Sequence, residues 1–105
     1  MLRIYEDMLA ALKMMRGMVA AIEKRDPDLG RQLRRASSSV ALNMAEGSGS
    51  FGRVRTVRYR TALGSARETI ACLQVAEAYG YVDEIPARVL TTMDHVVGTL
   101  VKVAA

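Results

Sequence analysis

The residues of this chain best suited to chemistry are arginines. Residues 31–60 hold seven of them, Arg31, Arg34, Arg35, Arg53, Arg55, Arg58 and Arg60, against one acid, Glu46, a local net charge of +6. The remainder carries 8 bases and 10 acids. Arginine supplies 12 of the 15 basic residues, and its planar fork makes two-point contacts with phosphate or carboxylate. Charge gathered in this way has the footprint of a protein that grips a nucleic-acid backbone. The same residues also suit a solvated helix face, or pairing with acids of a protein partner. Five aromatic residues in all leave few rings on which bases would stack.

Other chemistries lack their parts. A di-iron carboxylate bundle needs two Glu-x-x-His pairs, and the single histidine, His95, is preceded at that spacing by Thr92. His95 falls with Thr91 and Lys102 on a polar helix side, which reads as solvated. Ser37, Ser38 and Ser39 have no histidine nearby and no G-x-S-x-G frame. Cys72 has no base within a helical turn to stabilise a thiolate, so it reads as a small buried residue. The GSGSFGR stretch follows no strand and lacks the G-K-[ST] of a phosphate loop. The chain is therefore expected to be non-enzymatic, with no metal and no cofactor.

The elements that must position the arginines are four amphipathic helices, at about 3–24, 27–46, 53–79 and 84–103. In the first, Ile4, Met8, Ala11, Leu12, Met15, Met18, Val19 and Ile22 share one face. Asp26 is placed to cap the second and Pro27 to begin it; Leu29, Leu33, Ala36, Val40 and Met44 form its stripe, and Gly47 is expected to end it. Gly80 is expected to close the third helix. Asp83 is expected to cap the fourth, with Pro86 in its first turn and a stripe of Ile85, Val89, Met93, Val96, Leu100 and Val103. Short connections then predict an all-α, antiparallel up-down four-helix bundle, one domain over 1–105. Arg31, Arg34 and Arg35 share the face opposite the second helix's stripe, and Arg53, Arg60 and Arg67 recur every seven residues along the third. No apolar run suffices for a membrane span, and one cysteine excludes an internal disulfide, which fits a reducing cytoplasm.

The third helix carries two stripes. One is Val54, Val57, Thr61, Gly64, Glu68, Ala71, Cys72, Val75 and Tyr79; the other is Tyr59, Leu63, Ala66, Ile70 and Leu73. Either the helix is unusually buried, with one wide core face, or one stripe meets a second copy. The expectation is that the first stripe turns inward and that Tyr59, Leu63, Ala66, Ile70 and Leu73 form an oligomer interface. Glu68, inside the inward stripe, then requires an arginine or hydroxyl partner.

Several strings in order carry a resemblance: Gln32-Leu33-Arg34-Arg35-Ala36, Ser39 to Gly47 (SVALNMAEG), Ala62 to Glu68 (ALGSARE) and Gly80-Tyr81-Val82. They resemble the bacterial four-helix-bundle family founded on proteins encoded within intervening sequences of large-subunit ribosomal RNA genes. Val40 and Met44 stand where that family has isoleucines, and Ala41 where it has proline. The segment from Gly47 to Ala62 departs further, being rich in arginine. The resemblance implies a small antiparallel bundle assembled into a five-fold ring, with no enzymatic activity. More distantly, the chain is similar to the accessory variability proteins of diversity-generating retroelements, which implies RNA or DNA and a protein such as a reverse transcriptase as partners. Arg35, Ser39, Asn43, Glu46, Gly47, Gly64, Ser65 and Glu68 match the family pattern. Gly64-Ser65 would permit close helix approach, and Ser39, Asn43, Glu46 and Glu68 would form a structural polar network.

Overall fold

The computed structural model of the protein describes residues 2–105. Its regular structure is entirely helical: α1 (Leu2–Arg25), α2 (Pro27–Ser48), α3 (Gly52–Ala78) and α4 (Ala87–Val103), with no strand among the described residues. In α1, Ile4, Met8, Ala11, Met15, Val19 and Ile22 recur at steps of three and four and are all buried, as an amphipathic stripe requires. Asp26 then leaves helical geometry at φ −148°, and its Oδ1 accepts the Leu29 N–H at 3.0 Å. With Pro27 in the first turn, α2 begins as the spacing predicts.

The four stripes meet in one core, with α2 packed on α3, α1 on α2 and α4, and α4 on α3. Met8, Met15, Met44 and Met93 are fully buried there with Leu33, Leu73 and Leu100. Each such side chain contributes about 1.5–3 kcal/mol relative to exposure. Unbranched methionines fill the irregular gaps between helices.

Two helix boundaries differ from expectation, each for a backbone reason. Gly47 does not terminate α2. It is buried inside the helix, and a Cβ there would strike the Tyr59 ring, so its small size serves contact between α2 and α3. The turn uses Gly49 and ends at Gly52, whose φ of +57° suits glycine. The fourth helix starts at Ala87 rather than 84, because Pro86 bars Ile85 from helical geometry. The Pro86 carbonyl accepts from Val89 and Leu90, and among the described residues no side chain, Asp83 included, caps the helix start. Gly80, at φ +74°, closes α3 as predicted.

The two faces of α3 are present, but their orientation is the reverse of that expected. Tyr59, Ala66 and Leu73, expected at an oligomer interface, are buried in the core of their own chain, and Leu63 and Ile70 are half-buried against it. The outer face is the other stripe: Val54, Val57, Thr61, Gly64, Glu68, Ala71, Val75 and Tyr79 are all exposed. Cys72, at its edge, is buried. Leucine and tyrosine remove more apolar area from water than valine, threonine and glycine, so the inward choice follows from size.

Candidate nucleic-acid interface

Alternation of apolar and basic positions along α2 turns Arg31, Arg34 and Arg35 outward while Leu33, Ala36 and Val40 go to the core. On α3 the same logic exposes Arg53, Arg55, Arg58 and Arg60 around buried Tyr59 and Ala62. The seven arginines do not form one face. Arg31 pairs with Asp28 at 2.8 Å. Arg34 grips both carboxylate oxygens of Glu23, at 2.6 and 3.2 Å. Arg55 donates from Nε to the Gly47 carbonyl at 3.2 Å, and its guanidinium lies 5.7 Å from the Phe51 ring centre. Arg60 donates to the Ala104 carbonyl at 3.1 Å. Arg35 and Arg53 are free of ion pairs among the described residues.

Three arginines do converge. Arg34 and Arg35 from α2 and Arg58 from α3 border an open groove of about 440 Å³, floored by Ser38, Ser39, Leu42, Asn43 and Glu46. Arg58 reaches across it, 3.0 Å from Glu46 Oε2 and 3.5 Å from Asn43 Oδ1. Asn43 donates to the Ser39 carbonyl and hydroxyl, each at 3.0 Å, and the Ser65 hydroxyl donates to Ser39 Oγ at 2.8 Å. Ser39, Asn43, Ser65, Arg58 and Glu46 are thus one chain of polar contacts between α2 and α3. Guanidinium and hydroxyl donors on one open surface can receive phosphate oxygens at several points.

Glu68 is no member of that chain. It is exposed on the outer face of α3 and has no hydrogen-bond or ion-pair partner among the described residues. The requirement for a buried partner disappears with the exchange of faces. Gly64 likewise has nothing within 4 Å of a would-be Cβ, so the close approaches belong to Gly47 and to Gly30, which packs on Glu23.

The electrostatics follow the geometry. The hydrogen bond from Arg34 holds the Glu23 carboxyl below the usual range, and the same pairing raises Arg34. Burial pushes the Cys72 thiol up, and the Glu68 charge adds to it, the opposite of what a nucleophile needs. His95 is exposed, with Nε2 3.8 Å from Asp7 Oδ2. No group of three or more metal-ligating side chains occurs among the described residues, and no described helix is long and apolar enough to cross a membrane.

One arrangement escapes a reading of stripes. Tyr79 stacks on Tyr81 with ring centres 5.4 Å apart. Tyr81 donates to Asp26 Oδ2 at 3.2 Å and lies beneath the Arg25 guanidinium, 5.6 Å from its ring centre. Burial and the Asp26 bond both raise the Tyr81 pKa. The pairing joins residues 55 positions apart, beyond the reach of helical periodicity.

The family model described as 23S rRNA-intervening sequence protein matches residues 2–101. Among solved structures, the chain resembles a protein with unknown function from the S23 ribosomal protein family of Bacteroides thetaiotaomicron. The two are 14% identical with a TM-score of 0.78, covering 96% of this chain and 97% of the other, a likeness in fold. Comparison with curated proteins gives no match.

Proposed function

This chain belongs to the 23S rRNA-intervening sequence protein family, and from that premise we propose a non-enzymatic helical scaffold whose α2–α3 groove contacts the backbone of RNA or another nucleic acid. The observation that carries the reading is the convergence of Arg34, Arg35 and Arg58 over the hydroxyls of Ser38 and Ser39. Such contact would be electrostatic and weakly sequence-specific. Arg31, Arg53, Arg55 and Arg60 lie outside the groove.

The proposal includes an antiparallel up-down order of helices and a ring-shaped homo-oligomer in a cytoplasmic setting. Pairings that descend α2 as they ascend α3 support the first: Ser48 with Tyr59, and Ser39 with Ser65. The exposed face of α3, with Val54 and Val57 each more than half exposed, supports self-association through a surface other than the buried stripe. A ring requires two unlike, complementary surfaces on each copy. A second reading, an adaptor for an acidic protein partner, draws on the carboxylates already held by Arg34 and Arg58.

Binding of labelled RNA across a salt series tests the reading. We expect log affinity to fall linearly with log salt, with Arg35→Gln removing about one unit of slope and Arg58→Gln, whose charge Glu46 already holds, removing less. A flat salt dependence would reject nucleic-acid contact and leave the adaptor.

A further inference from the structure

The two most exposed aromatic side chains stand at opposite ends of α3: Phe51, 83% exposed, just before it, and Tyr79, 69% exposed, just after. Isolated exposed rings are ordinary, but these two are held in place. Behind Phe51 lies the Arg55 guanidinium, itself anchored on the Gly47 carbonyl. Behind Tyr79 lies Tyr81, fixed by Asp26 on one side and Arg25 on the other. Each presents an aromatic surface to solvent on a backing that limits its motion. The groove bordered by Arg35 and Arg58 lies beside the helix between them.

We infer that Phe51 and Tyr79 are stacking platforms for unpaired bases, and that the groove's ligand is therefore a single-stranded nucleic acid lying along α3. The inference rests on the nucleic-acid reading of the groove and names the class of strand. A duplex hides its base faces inside the stack, whereas a single strand offers a π-face at every nucleotide. At 28 positions apart in sequence and a rise of 1.5 Å per residue, the two residues are separated by about 42 Å along the helix axis. That separation suits several nucleotides, with bases at the two ends and phosphates over the arginines. Two of the acids near Tyr79 are already engaged. Asp26 is engaged by the Leu29 N–H and the Tyr81 hydroxyl, and Glu77 accepts the Ile85 N–H at 3.1 Å. Asp83 and Glu84 are exposed and discourage phosphate at that end, which leaves it a surface for a base.

The test compares three fluorescent probes on the full chain: an oligoadenylate of about 12 nucleotides, within the 4–16 typical of single-strand sites, an RNA duplex of equal length, and inorganic polyphosphate. Tyr79→Ala and Phe51→Ala should each weaken oligoadenylate binding about five- to tenfold while leaving polyphosphate binding unchanged. Tyr79→Phe and Phe51→Tyr should restore it. Because the chain has no tryptophan, quenching of tyrosine emission by oligoadenylate, lost in Tyr79→Ala, gives an independent readout. Alanine variants that bind oligoadenylate as the parent does would overturn the stacking inference while the groove reading stands. So would equal losses for oligoadenylate and polyphosphate, or a parent that prefers the duplex. A parent that binds none of the three probes would overturn both.

Discussion

Glu46 holds the Arg58 guanidinium at 3.0 Å, while Arg35, about three turns earlier on α2, borders the same groove with no carboxylate partner. Among the described residues the groove thus has one free cation, Arg35, and two held by the chain's own acids, Arg34 by Glu23 and Arg58 by Glu46. An incoming phosphate must replace the Glu46 carboxylate to use Arg58 fully.

Glu46→Gln should therefore raise affinity for RNA at low salt, by roughly three- to tenfold, and steepen the salt slope by about one contact. Glu46 is exposed, so circular dichroism melting should show little change. The gain should vanish in the Arg58→Gln background; a gain that persists there would assign the effect to net charge alone.

Gly47 and Gly64 should respond to alanine with opposite signs. At Gly47 the new methyl meets the Tyr59 ring, an overpacking that costs about 1–3 kcal/mol. At Gly64 it meets nothing in this chain, and replacing an exposed mid-helix glycine should stabilise the fold by about 0.5–1 kcal/mol. Urea unfolding at a fixed protein concentration measures both. A destabilised Gly64→Ala would show that another surface covers that face in solution.

The Glu23–Arg34 pair should respond to acid. Because Glu23 has a lowered pKa in the fold, its contribution is present above the ordinary glutamate range and is lost as pH falls through the lowered value. Carboxyl-detected NMR should show Glu23 titrating below the ordinary glutamate range and returning to it in Arg34→Gln. Unshifted titration in that variant would remove Arg34 as the cause.

Leu73→Ala should destabilise the chain by about 2–5 kcal/mol, as a fully buried leucine does. Val57→Ser, on the outer face, should leave the stability of a dilute sample nearly unchanged and reduce self-association in sedimentation velocity. Self-association unaffected by Val57→Ser would place the contact between copies elsewhere.

Much of this was legible in the residues. The period of Ile4, Met8, Met15 and Ile22 identifies α1, and the Asp26-Pro27 pair marks the start of α2 by side-chain chemistry that acts locally. The two-faced pattern of α3 is equally visible. Its orientation is not, since a hydrophobic period says which residues share a side and nothing about which side has a neighbour; the larger residues decided it. The same exchange explains Glu68, whose burial was inferred from its stripe. Arg58 meeting Asn43 and Glu46, and Tyr81 meeting Asp26, depend on axial register between helices. That register is set by the close contact at Gly47, which reads in sequence as a helix end.

Met8, Met15, Met44 and Met93 have no solvent exposure, so a peroxide in solution reaches their sulfur atoms only when a helix lifts away. Conversion of each to its sulfoxide, followed by mass, becomes a clock for opening of the interior. Four timers distributed over α1, α2 and α4 report whether those helices part together or one at a time.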